Sequence, residues 1–182
     1  MQRINNTTIE TATPVSSELL KSVKGQLGMV PNLYAALGNS PTALQVALQN
    51  GAAQEHSALT PAFREKIALV VAQTNSCDYC LSAHTTIGKM NGLTEDETIE
   101  ARRGKSSDHK EQIGLQFAIQ LVDNRGNVSN EQVGALKTAG YSDQEILDVA
   151  NNVLINIYTN YMNHLIGTVV DFPAVRELEL AR

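Results

Sequence analysis

The sequence predicts an all-α fold, a single helical bundle spanning residues 1–182. Three observations predict it. Helix-start signals recur along the whole chain. Ser40-Pro41 and Thr60-Pro61 each pair a capping hydroxyl with proline at the first helical position, where its missing N–H costs nothing. Thr94 with Glu97, Asp108 with Glu111, Ser129 with Gln132 and Ser142 with Glu145 all have capping-box spacing. Between these starts, apolar residues keep a helical period, as in Ile67, Val70, Val71 and Thr74, and again in Ile146, Val149, Val153, Ile157 and Tyr161. Breakers stand where helices should stop, at Gly38, Gly51, Gly92, Gly104, Gly126 and Gly140.

Taken in order, the first stretch, "RINNTTIETATPVSSEL", is polar, and residues 1–15 are expected to form a loose arm or to pack on a neighbouring subunit. Helices then follow over about 16–27 and 31–38, ending at Gly38. A third over about 41–56 opens at Ser40-Pro41, and a fourth over about 61–75 at Thr60-Pro61. A fifth over about 78–91 opens beside a cysteine pair and stops at Gly92. Capping boxes open the helices over about 95–103, 109–124 and 130–139. The last, about 143–168, contains "NNVLINIYTN", rich in β-branched residues; its length and the Ser142 cap favour a buried helix over a strand. "GLTEDE" and "GYSDQE" resemble each other, each opening a helix after a glycine, and are read as two similar caps. No Pro/Ser-rich linker divides the chain.

Composition narrows the function. Hydrophobic residues make up 42% and charged residues 18%, an ordinary globular balance. The formal net charge of −5 argues against a nucleic-acid partner, which would want a basic stripe. Aromatics are 4% and tryptophan is absent, so base-stacking platforms are not expected. No apolar run reaches bilayer length, and "MQRINNTTIE" has no apolar signal-peptide core, so a cytoplasmic protein is expected. In a reducing compartment a cysteine pair is more readily catalytic or metal-binding than a permanent staple. Two cysteines do not make a disulfide scaffold.

Those two cysteines stand together in "TNSCDYCLSAHTTIGKMNG". Cys77 and Cys80 are two residues apart and His84 follows four residues after the second. Haem attachment is excluded, because Leu81, not histidine, follows Cys80. A structural zinc site would need a fourth ligand, with His164 or Glu65 as candidates, and no second pair supplies one. Two buried cysteines used as small hydrophobes are a further reading, although the neighbouring asparagine, serine and aspartate are poor core company. A redox-active dithiol gives the spacing a purpose. A helix beginning near Ser76–Asp78 puts both cysteines in its first turn, where free amides and the positive dipole end stabilise a thiolate. His84, one turn beyond Cys80, can take or return a proton. Glu65 lies twelve residues before Cys77 on the preceding helix, and would meet His84 if the two helices form an antiparallel pair; a surface Glu65 paired with Arg64 or Lys66 is the plainer reading of the spacing alone.

Further along, Asn152, Asn156, Asn160 and Asn163 fall near one face of the last helix. They either line a pocket or subunit contact near the dithiol or satisfy backbone groups in a packed bundle. Asn160 and His164, with Tyr79, are pocket candidates, and Tyr158 is a weaker one. His56 and His109 sit near helix ends and are expected in solvent. Arg102 and Arg103 suit a solvated C-terminal helix end.

The combination Glu65, Cys77, Cys80 and His84 reproduces the E-x11-C-x2-C-x3-H pattern of the alkylhydroperoxidase D-like proteins of the carboxymuconolactone decarboxylase superfamily. "GMVPNLYAALGNSP", "LTPAFREKIALVVAQTNSCDYCLSAHT", "RRGKSSD" and "TNYMNHLIGTVVDFP" resemble its peroxidase-related branch, so the resemblance covers about Leu27 to Pro173. It implies an all-α fold built on a helical hairpin, assembled as dimers, trimers or hexamers. It implies a peroxidase or dithiol oxidoreductase that needs no cofactor and no metal, with a hydroperoxide substrate and an external dithiol as reductant. By position, Cys80 would attack the peroxide, Cys77 would resolve, and Glu65 and His84 would relay protons. Tyr79 stands where the family's namesakes often carry a histidine between the cysteines; a phenol there can donate a hydrogen bond but is no base at neutral pH. The rival expectation is a non-catalytic helical oligomer whose cysteine pair senses oxidants or binds metal.

Overall fold

The computed structural model describes residues 1–176 and 178. Among them are nine α-helices, one 3₁₀ turn and no strand. The helices are α1 (Pro14–Leu27), α2 (Asn32–Leu37), α3 (Pro41–Ala53), α4 (Pro61–Thr74), α5 (Asp78–Met90), α6 (Glu95–Arg102), α7 (His109–Asp123), α8 (Asn130–Thr138) and α9 (Asp143–Ile166). The 3₁₀ turn Gln54–His56 tightens the end of α3, where continuous α-helix is expected.

The α4 helix is the axis of the bundle. Thr60 caps it, its hydroxyl accepting from the Phe63 amide, and Pro61 fills the first helical position. Ile67 through Ala72 are all buried, so α4 has no polar side over two turns. Such a helix is covered on every face. Here α5, α6, α7 and α9 do the covering. Leu69, Val71, Leu115, Val149 and Val153, all at 0% exposure, form the centre of the core.

Capping follows the sequence closely, with one departure. Thr94–Glu97, Ser129–Gln132 and Ser142–Glu145 are reciprocal capping boxes. Asp108 caps α7 by accepting from the Glu111 amide at 3.0 Å, but the Glu111 carboxylate does not reach back. It accepts instead from Lys66 Nζ (2.7 Å) and Ser106 Oγ (2.8 Å). Lys66 is only 7% exposed, and a buried ammonium demands a carboxylate more strongly than a helix end does.

One expectation, the solvated Arg102, needs correction. The N-terminal arm is bonded to the body of its own chain. The Arg3 amide bonds Ile166 O, the Thr7 amide bonds Ala35 O, and Asn6 and Asn39 tie the arm to the α2 region. Arg102 is not a solvated helix end. It is 4% exposed, donating to Gln73 Oε1 and to the Arg176 carbonyl, each at 2.8 Å. These bonds tie the segment after α9 to α4 and α6. The same segment caps α2, whose N-cap Pro31 offers no side-chain oxygen: Asp171 accepts from the Asn32 amide at 2.7 Å.

Candidate active site

The α4–α5 hairpin positions the cysteines. α4 ends at Asn75, and Ser76 turns the chain in a left-handed conformation (φ 56°). The Cys77 amide closes the turn on Ala72 O at 2.9 Å. Cys77 is then the N-cap of α5, and its Sγ accepts from the Cys80 amide at 3.4 Å. The i, i+3 spacing holds the two Cα atoms 5.3 Å apart, and the sulfurs are joined in a disulfide. Cys77 is 1% and Cys80 2% exposed.

One turn past Cys80, His84 Nδ1 meets Glu65 Oε2 across the hairpin at 2.8 Å. Both side chains are mostly enclosed, so the pair is partly shielded from water. Gly88, the next residue on that face, leaves room for Leu93 beside Glu65. A Cβ there would lie 3.0 Å from Leu93 Cδ1 and 3.5 Å from Glu65 Cβ. Sequence reasoning passed over Gly88, because a glycine inside a helix shows its purpose only when the neighbouring helix is known.

A cavity of about 360 Å³ opens beside this pair. Cys80, Glu65, His84 and Tyr79 all line it; Cys77 does not. Most of the remaining wall is apolar, with Leu33, Ala68, Ala83 and Phe172 among its residues, while Arg64 and Tyr34 add polar groups. The Tyr79 hydroxyl accepts from the Leu33 amide at 3.3 Å and its ring stacks edge-on against Phe172. Burial drives the Tyr79 pKa far above the ordinary phenol value, and the nearby Asp171 carboxylate pushes it further. Burial also raises Tyr34. Both phenols are neutral donors at any working pH.

Not all the expected polar residues face the cavity. Asn160 and His164 do not line it. Asn160 accepts from Asn75 Nδ2 at 2.9 Å, and His164 Nε2 lies 3.2 Å from Ser76 O, so both brace the turn that delivers Cys77. Tyr158 donates to Ala43 O. His56 and His109 are exposed, as expected. The α9 residues that reach the cavity are Asn152, Ile155, Asn156, Thr159 and Asn163. At about 100° per residue, Asn163 returns to the direction of Asn152 and Asn156, whereas Asn160 points about 80° from Asn152, toward α4. Asn163 carries the contact that matters most, an Nδ2–H donated to Cys80 Sγ at 3.2 Å. Among the described residues, no three His, Cys, Asp or Glu side chains gather as a metal-binding group.

Residues 42–113 match the carboxymuconolactone decarboxylase family. No curated protein sequence matches the chain. Solved structures match its fold. An alkylhydroperoxidase AhpD core, a peroxidase-related protein from Ralstonia eutropha JMP134, superposes with a TM-score of 0.83 at 21% identity, covering 93% of this chain and 92% of its own. A peroxidase-related protein from Silicibacter sp. TM1040 gives 0.77 at 24% identity, covering 87% of each chain. The debrominase Bmp8, solved with 2,3,4-tribromopyrrole, gives 0.74 at 17% identity, covering 87% of this chain and 86% of its own. The segment that matches the family holds the α4–α5 hairpin, and the helices around it complete a fold that the chain shares with alkylhydroperoxidase D-like proteins.

Proposed function

We propose that the protein is a dithiol-dependent peroxidase acting on organic hydroperoxides. The observation that carries this reading is an asymmetry: Cys80 and the Glu65–His84 pair share one mostly apolar cavity, while Cys77, bonded to Cys80, lies behind it.

In the reduced protein Cys80 is the attacking thiolate. Its sulfur displaces on the terminal oxygen of ROOH, the O–O bond breaks, and the alkoxide takes a proton from His84 to leave as ROH. Glu65, 2.8 Å from Nδ1 across the hairpin, holds the imidazole ring in place. Cys80 is now a sulfenic acid. The Cys77 thiol condenses with it, forming the disulfide and releasing water. An external dithiol, itself oxidised to a disulfide, returns both cysteines to thiols by exchange. The apolar cavity wall favours an alkyl hydroperoxide over hydrogen peroxide.

The test is a steady-state assay with several hydroperoxides and dithiol donors on wild type, Cys77→Ser and Cys80→Ser. Turnover that vanishes in both variants, with alkyl substrates preferred, is the expected result. Undiminished turnover in Cys80→Ser removes the assignment. A wild type that forms its disulfide once and never cycles with any dithiol identifies an oxidant sensor instead.

A further inference from the structure

The buried position of Cys80 creates a problem that the Glu65–His84 pair does not solve. At 2% exposure the sulfur has almost no water to solvate a negative charge, and desolvation alone raises a thiol pKa. The Cys80 amide, a natural donor at a helix start, is directed to Cys77 Sγ. The one side-chain N–H donated to Cys80 Sγ among the described residues comes from Asn163, 83 positions away on α9. Asn163 is itself 4% exposed. Its other amide atom, Oδ1, is buried and accepts from no donor among the described residues. A buried acceptor with no donor is costly, and a redox or catalytic role is one reason for a fold to keep such a group.

We infer that Asn163 is a catalytic residue that serves Cys80 in two oxidation states. Nδ2–H donates to the thiolate and keeps it ionised before attack. After attack, the new hydroxyl of the sulfenic acid donates to Oδ1, which no donor among the described residues meets while the disulfide is closed. Cys77 sulfur then attacks Cys80 sulfur, the S–O bond breaks, and the departing oxygen leaves as water with the proton that Cys77 gives up. The second half of this role rests on the peroxidase reading above; the first half does not.

The experiment uses the full chain in the Cys77→Ser background, which leaves Cys80 as the single thiol. Thiolate absorbance near 240 nm and the iodoacetamide alkylation rate are followed against pH, with no peroxide present. Asn163→Leu keeps the volume and removes both amide atoms. Asn163→Asp keeps the shape and places a carboxylate beside the sulfur. Arg64 and Glu65 from α4, Tyr79 and His84 from α5 and Tyr34 from α2 share the cavity and are common to all variants, so differences report on position 163. Asn163→Leu should raise the Cys80 pKa by about one unit and slow alkylation near neutral pH roughly tenfold. Asn163→Asp should raise it further, because like charge disfavours the thiolate. If Asn163→Leu does not fold, judged by circular dichroism, Asn163→Asp alone decides. An unchanged pKa in a folded variant overturns the inference. A protein without peroxidase activity would still show these shifts, so failure here and failure of the peroxidase reading are distinguishable. A peroxidase-active protein should also lose its dimedone-trappable sulfenic acid faster in Asn163→Leu than in the Cys77→Ser parent; an equal lifetime overturns the Oδ1 role.

Discussion

At residue scale, the site divides its labour between charge and position. The Glu65–His84 contact at 2.8 Å fixes the orientation of the imidazole from the neighbouring helix, and the proposed mechanism uses it as a proton donor. Replacing His84 by Gln removes the proton and should slow disulfide formation by roughly 10²–10⁴-fold. Glu65→Gln keeps a hydrogen-bond partner and should cost less. Stopped-flow mixing of reduced protein with an alkyl hydroperoxide measures both. Cys77, Cys80 and His84 were legible in the spacing, because they lie within two turns of one helix; Glu65 came from the family resemblance, since its spacing alone favoured a surface residue. Asn163 was visible only as one of four asparagines on a face. Which of them meets the sulfur depends on how α9 is rotated against α5, and that rotation is set by the whole core rather than by local spacing. Asn160, whose neighbours looked equivalent, turned out to brace Asn75 instead.

At the scale of elements, the α4–α5 hairpin must be both close and fixed. Gly88 leaves room for Leu93 beside the hairpin. Gly88→Val would press against Leu93 and Glu65, so it should destabilise the fold by about 1–3 kcal/mol and slow turnover more than Leu93→Ala does. Thermal unfolding with parallel kinetics checks this. The helix carrying the asparagines is fixed at its start by the Ser142–Glu145 box. Ser142→Ala should cost about 1 kcal/mol in denaturant unfolding. Glu145 is held below the ordinary glutamate pKa first by Lys110 and then by the Ser142 amide, and Glu97 by the Thr94 amide and hydroxyl. A lowered folded-state pKa gives stability that is complete above the unfolded value of 4.5 and lost as pH falls through the folded values. Stability should therefore fall with pH from about 5 downward, less steeply in Glu145→Gln. The helix starts could be read from sequence because a cap is a local device. The Asp108 box could not, since Lys66, 45 residues earlier, draws off its Glu111. The buried Arg102 was missed for the same reason: its partners Gln73 and Arg176 lie far away in the chain.

At the scale of the molecule, α9 has two uses. Its inner face supplies Asn163, while its outer face exposes Leu147, Leu154, Tyr161 and Leu165, at 59–69% exposure. Their spacing of seven, seven and four residues is that of a helix-pairing seam. The chain should self-associate through this stripe, and Leu154→Glu with Tyr161→Glu should shift the mass toward the monomer in light scattering after gel filtration. Which buried sulfur meets the peroxide is tested most directly by mass spectrometry of single-cysteine proteins after one equivalent of alkyl hydroperoxide. Cys77→Ser should carry one dimedone adduct on Cys80, and Cys80→Ser should carry almost none on Cys77. An adduct confined to Cys77, or no oxidation of either protein, would contradict the account.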